Sequence, residues 1–264
     1  MFTHHFHLSA QPFSEPAPTD HILRDERISQ ALARLEFFAN FGIVSVLTGT
    51  AGVSKSSTLR LFIHGLNPSK FFPVYVHTTQ VRAQSLLKIL LDALGQNPPK
   101  WGKDRLFLQI LNHAKRSDQT TLLVFDEAHL IPQEGLTDLR LLVSSALDET
   151  PKIKILLAGQ DSLHHRLASP DLIDLAQRVC VRAHLKPFSI DQTRAYIDFR
   201  LKVVGATPDL FDDDAKSLIH DCSGGFPRQI NNFAIASLLL AASKGLQRVS
   251  ETLVKDAIPE TKRP

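Results

Sequence analysis

At 264 residues, 43% of them apolar, the chain is long enough for one large domain, or a larger and a smaller one, around a sizeable core. Its formal charge of +3 permits contact with nucleic acid without demanding it. No apolar run approaches the roughly 18 residues that span a bilayer, no basic-then-apolar leader opens the chain, and two cysteines, Cys180 and Cys222, argue against a disulfide framework and for a reducing, cytoplasmic compartment.

Residues 8–20 are proline-rich and irregular, and His4, His5 and His7 before them read as a surface segment rather than a metal site. A helix is predicted over 25–40, where Ile28, Leu32, Leu35 and Phe38 recur at helical spacing. Strands predicted at 43–48, 73–78, 121–126, 153–158 and 179–185 then alternate with helices at 55–65, 82–94, 103–116, 136–147 and 162–168. Such alternation predicts an α/β fold, a parallel sheet with helices on both faces. From about residue 189 the strands stop. Helices are predicted at 190–204, 212–221, 227–243 and 250–257, the first opened by a capping box of Ser189 and Gln192. The plan is an N-terminal segment and helix (1–40), an α/β core (41–187) and a small all-helical domain (188–264).

The first strand runs into Gly49-Thr-Ala-Gly-Val-Ser-Lys-Ser56, the phosphate-loop pattern Gly-x4-Gly-Lys-Ser/Thr with Ser54 in place of the second glycine. Between a strand and a helix, backbone N–H groups at the helix start face an anion, and the helix dipole favours its charge. The expected phosphate-binding residues are Gly49, Thr50, Ala51, Gly52, Val53, Ser54, Lys55, Ser56 and Ser57, with Lys55 reaching the outer phosphates and Ser56 ligating Mg2+. Glycine accepts positive φ in such loops. A serine held there costs about 1–3 kcal/mol, so three outcomes stay open: a tolerated substitution, weak nucleotide binding, or inactivation.

The third strand, Leu122-Leu-Val-Phe-Asp-Glu127, ends in two carboxylates at the sheet edge where open α/β folds place ligands. Asp126 is expected to orient Mg2+ and its water, and Glu127 to polarise the attacking water as a general base. Gln160, closing the fourth strand, is a candidate to sit beside the outer phosphate. Arg178 or Arg182, before and inside the fifth strand, is a candidate arginine finger toward a neighbouring subunit. Ser223-Gly-Gly-Phe-Pro-Arg228 opens a helix sharply and projects Arg228.

In this order the segments resemble those of AAA+ ATPases: Walker A at Gly49–Ser56, Walker B at Leu122–Glu127, sensor 1 at Gln160, the finger at Arg178 and sensor 2 at Gly225–Arg228. More narrowly, Gln11-Pro-Phe-Ser, Asp126-Glu-Ala-His-Leu130, Leu139-Arg-Leu-Leu142, Leu157-Ala-Gly-Gln160, His184-Leu-Lys-Pro-Phe188 and Gly225-Phe-Pro-Arg-Gln-Ile-Asn-Asn232 resemble the ExeA-like and transposon-encoded group of TnsC, TniB and MuB type. The resemblance implies a P-loop AAA+ core with a helical lid, ATP and Mg2+, and self-association into a ring or helical filament with sites between subunits. Secretion members add a membrane segment and a peptidoglycan-binding region. With neither before Pro264, the expectation is the transposition branch: an ATPase that binds double-stranded DNA, recruits a transposase or integrase, and uses hydrolysis as a switch, away from any membrane.

A ring on DNA needs mainly phosphate contacts from inner loops. Candidates are Arg82, Lys100, Lys103 and Arg105, with Trp101 placed for stacking. Candidates for the adenine pocket are Ile22, Leu23 and Arg27 on one side and Tyr196 and Ile230 on the other, positions that suit ordinary core residues equally. Two further readings stay open: a degenerate nucleotide-binding adaptor without turnover, and an ExeA-like secretion ATPase.

Overall fold

The structure is a computed structural model that describes residues 2–78, 82–98, 102–144 and 152–261. In chain order the elements are α1 (Phe2–His5), α2 (Glu26–Phe41), β1 (Val44–Thr48), α3 (Lys55–Gly65), β2 (Phe71–His77), α4 (Ala83–Ala93), α5 (Lys103–Arg116), β3 (Thr120–Asp126), α6 (Gln133–Ser144), β4 (Ile153–Gly159), α7 (Ser162–Leu167), α8 (Ile173–Gln177), β5 (Val179–His184), α9 (Ile190–Lys202), α10 (Asp213–Ser223), α11 (Pro227–Ser243) and α12 (Glu251–Thr261). All five expected strands are present. Two short helices, α1 and α8, were not expected, and two others differ from the expected bounds by three residues or more at one end. Helix α6 starts three residues earlier than expected, because Gly135 packs inside it rather than breaking it: a Cβ there would lie 2.9 Å from Ile131 Cγ2. Helix α12 continues through Pro259, which lacks the N–H that a helix interior needs and so suggests an earlier end.

The chain divides into two compact units. The α/β unit comprises Arg27–Ala51 and Thr58–Leu185. Its sheet has the order β2-β3-β4-β1-β5, every pair parallel. Central strands buried on both faces are mostly apolar, and β1 and β4 are buried along their whole length. The edge strands β2 and β5 alternate in exposure instead. Val44, Val46, Leu123, Phe125, Ile155 and Leu157 share a core with residues of α4, α5, α6 and α7. Their neighbours of opposite parity, such as Leu47, Leu122, Val124 and Leu156, are fully buried too. Lys154 is buried, and its ammonium donates to the carbonyl of Ala39 in the last turn of α2; burial lowers its pKa.

The second unit comprises Met1–Glu26, Gly52–Ser57 and Lys186–Pro264. Its core joins Phe6, Leu8 and Phe13 of the N-terminal segment to apolar residues of α9 through α12. Buried Arg200 fixes that segment by donating to the carbonyls of Pro12 and Ser14 at 2.7 and 3.0 Å. The capping box is present: Gln192 N–H donates to Ser189 Oγ, and Ser189 N–H to Gln192 Oε1.

Candidate active site

The register of the parallel strands brings several polar groups to one edge of the α/β unit. Thr48 pairs with Gly159 on one side and His184 on the other, and His77 pairs with Asp126. Asp126 is 1% exposed. Its Oδ1 accepts from the backbone N–H of Glu127 at 2.9 Å and its Oδ2 from the hydroxyl of Tyr75 at 2.8 Å. Burial first, then the hydrogen bond to this carboxylate, raises the Tyr75 pKa and keeps the phenol protonated. The carboxylate is thus oriented from two directions. Nothing in the local sequence points to Tyr75, which reaches Asp126 from the neighbouring strand.

Glu127 has left-handed backbone, φ 56 and ψ 35, and leaves the strand direction at once. Its carboxylate stays partly open to solvent, with Oε2 3.4 Å from His129 Nδ1. The backbone N–H of Gln160 lies 3.4 Å from the same nitrogen. Nδ1 accepts from Gln160 only when deprotonated and pairs with Glu127 only when protonated. A single imidazole therefore stands between the two residues expected to handle water and the outer phosphate. Gly159 makes this approach possible, since a Cβ there would lie 3.0 Å from His129 N. His129 stands within the quoted Asp126–Leu130 phrase, yet the sequence assigned it no role.

A second cluster lies at the same edge. The fully buried Thr48 hydroxyl is 2.8 Å from His164 Nε2 and 3.2 Å from His184 Nδ1, and that nitrogen is 3.3 Å from Asp161 Oδ1. Burial, with the charge of Arg182 adding to it, lowers the pKa of His164, so its ring is neutral and can accept the Thr48 proton. Thr48 is the last residue before the phosphate loop, and its carbonyl accepts from Leu185 N–H at 2.8 Å. The strand end that launches the loop is tied to β5 through backbone and side chain alike.

The later part of the loop belongs to the helical unit. Gly52 has φ 85 and Ser54 φ 79, Val53 is fully buried, and Lys55 begins α3 at 5% exposure, followed by exposed Ser56. A Cβ on Gly52 would stand 3.3 Å from Arg228 Cβ, so the start of α11 lies against the loop backbone. The Arg228 guanidinium is exposed, with Nε 3.6 Å from Glu15 Oε2. Glu15 Oε1 also accepts from Asn231, and Asn231 accepts from Tyr196. Gly225, at φ 74, packs so closely that a Cβ would lie 2.2 Å from the carbonyl oxygen of Phe188. Two of the quoted phrases, His184–Phe188 and Gly225–Asn232, therefore meet backbone to backbone.

The remaining expected site residues are mostly exposed. Arg178 is exposed after α8, and Arg182 is exposed on edge strand β5. Arg82 precedes α4, exposed, and Arg105 is exposed in the first turn of α5. Lys103 is committed elsewhere, 2.6 Å from Glu134 and 2.8 Å from Asp138 of α6. Lys100 and Trp101 lie outside the described residues. Of the adenine candidates, Tyr196 at 7% exposure and Ile230 at 0% belong to the core of the helical unit, the ordinary packing that the sequence left open for them.

A five-stranded parallel sheet with flanking helices, followed by a helical domain, defines this chain as having the P-loop AAA+ fold. Residues 43–167 match the family described as AAA domain. The chain is 32% identical to General secretion pathway protein A of Aeromonas hydrophila over 255 residues, which are 94% of this chain and 46% of that protein. It thus spans less than half the length of that relative. Among solved structures it resembles Cdc6p from Pyrobaculum aerophilum, with a TM-score of 0.77, 20% identity, and 95% of this chain and 70% of that one covered. Aeropyrum pernix ORC2, solved as ADPNP–ADP complexes, matches at a TM-score of 0.76 and 14% identity over 96% of this chain and 72% of that one. Aeropyrum pernix ORC1, solved in complex with DNA, matches at 0.71 and 17% over 93% and 68%. At these identities the structural likeness is one of fold.

Proposed function

We propose that this chain is a Mg2+-dependent ATPase acting as a switch, in which ATP-bound copies assemble and hydrolysis releases them. The observation that carries this reading is the end of β3. There Asp126 is buried and held by two hydrogen bonds, and Glu127 turns out through left-handed backbone with its carboxylate partly open. A fixed carboxylate is the oxygen-donor chemistry that suits a hard cation. Ser56 and Asp126 would hold Mg2+, which when bound supplies positive charge against the phosphate oxygens. Lys55 and the backbone of Gly49–Ser57 would take the phosphates. Glu127 would accept the proton of the attacking water. Gln160 and Arg228 would contact the outer phosphate, and Arg178 of one copy would complete its neighbour's site.

For what the switch controls, we propose assembly on double-stranded DNA and recruitment of a transposase, a cytoplasmic role. The phrases that resemble those of transposon-encoded AAA+ proteins support it, as does the fold neighbour solved with DNA. A second reading, a secretion-type ATPase, is supported by the 32% identity to General secretion pathway protein A across 94% of this chain. Both readings require the same nucleotide chemistry, which Glu127→Gln tests. The variant is expected to bind ATP, to lose turnover by at least about a hundredfold, and to accumulate as assembled oligomer. A variant that neither retains ATP nor stabilises assembly removes Glu127 from the role of base.

A further inference from the structure

The outward face of α5 is a charged groove that the proposed ATPase chemistry does not use. Leu106, Ile110 and Ala114 bury the inner face of the helix. Arg105, Gln109, Asn112 and Arg116 recur at intervals of three and four residues and so form one stripe on the other side. With His113 and Gln96 they line a groove of about 470 Å3 whose apolar contribution comes from Leu108, 55% exposed. Among the described residues no carboxylate lines it. Among the described residues neither Arg105 nor Arg116 has an ion-pair partner, whereas Lys103, on the same helix, has two.

Helix-end electrostatics account for only part of this pattern. Basic side chains in a last turn offset the negative end of the helix dipole, which explains His113, Lys115 and Arg116. Arg105 sits in the first turn, where the dipole disfavours a cation. Its place is better explained by a ligand. The Cα atoms of Arg105 and Arg116 are about 16 Å apart along the helix, too far to converge on one phosphate. Their spacing suits a polyanion with repeating charge, and duplex DNA carries about one charge per 1.7 Å of axis. Guanidinium groups match phosphate oxygens in a bidentate fashion, and side-chain amides such as Asn112 and Gln96 donate to phosphate and sugar oxygens.

We propose that the α5 stripe anchored by Arg105 and Arg116 is a contact for the phosphate backbone of double-stranded DNA, an inference that rests on the DNA reading above. The test is binding of a fluorescently labelled duplex to the full chain with ATP, across a salt series. Removing two phosphate contacts in Arg105→Ala/Arg116→Ala should weaken binding and make the slope of log K against log salt shallower by about 2. Arg105→Lys/Arg116→Lys should keep the wild-type slope. DNA-independent ATP turnover should be unchanged in both, which certifies the fold. If wild type binds DNA and the double alanine variant keeps its slope and affinity, the α5 contact is overturned while the DNA reading stands. A lower melting temperature with an unchanged slope assigns the arginines to helix-end stabilisation and likewise overturns it. Absence of DNA binding by wild type overturns both.

Discussion

Three non-glycine residues among those described have positive φ: His7, Ser54 and Glu127. Two of them fall in the segments whose chemistry the sequence singled out, and backbone held in a sparsely populated region is a device found at functional sites. Ser54 stands where the phosphate-loop pattern has glycine, and at φ 79 it adopts the conformation that glycine would supply at no steric cost. Ser54→Gly therefore removes strain from the folded state, partly offset by the greater freedom glycine gives the unfolded chain. A net gain of about 1 kcal/mol is expected, or roughly 2–4 °C in melting temperature for a chain of this size. Because the serine already holds the required backbone, ATP turnover should change by less than about threefold, under 1 kcal/mol of barrier. A rise of tenfold or more would mean that the serine cripples the loop, and the natural protein would then be the adaptor without turnover.

Between α10 and α11 the chain turns on two glycines, and their roles differ. Gly224, at φ 60, caps α10 in left-handed conformation with only Phe226 ring carbons near its missing Cβ, at 3.5 Å. Gly225 lies against Phe188, whose N–H donates to its carbonyl at 2.8 Å. Gly224→Ala should cost about 1–2 kcal/mol, the left-handed penalty alone. Gly225→Ala adds a clash with backbone and should cost more than about 3 kcal/mol, while shifting the start of α11 and with it Arg228. Urea denaturation of the two variants checks the difference, and equal costs would show that the Phe188 contact yields. The Ser-Gly-Gly-Phe-Pro-Arg segment was legible in the sequence because backbone demands of this kind restrict residue type locally. The phosphate loop and the carboxylates ending β3 were legible for the same reason, and the strands through their β-branched runs. Tyr75 was not, because only the register of β2 on β3 carries it to Asp126, 51 positions on. Neither was the pairing of Glu15 with Arg228, which depends on how the N-terminal segment packs on α9 and α11. Helix α8 escaped because five residues are too few to show a helical period.

At the scale of the whole molecule, local chemistry supports the proposed ATPase while the partner must be read from charge and assembly. The chain carries a net charge of only +3, so any affinity for DNA has to come from concentrated basic surface rather than from the overall field. A small number of phosphate contacts per copy becomes strong binding when copies assemble side by side, because each further contact is made at high effective concentration. If ATP drives that assembly and hydrolysis reverses it, DNA, assembly and turnover are thermodynamically linked, and each must influence the others. ATP turnover of the purified protein is therefore expected to rise on adding duplex DNA. The stimulation should fall steeply between about 50 and 200 mM salt as counterion release weakens DNA binding, while basal turnover should change far less. Turnover of the same size with and without DNA at every salt concentration would break the linkage and favour the secretion-type reading. Absent turnover with DNA binding retained would leave a binding module, and the strained serine of the phosphate loop would be its cause.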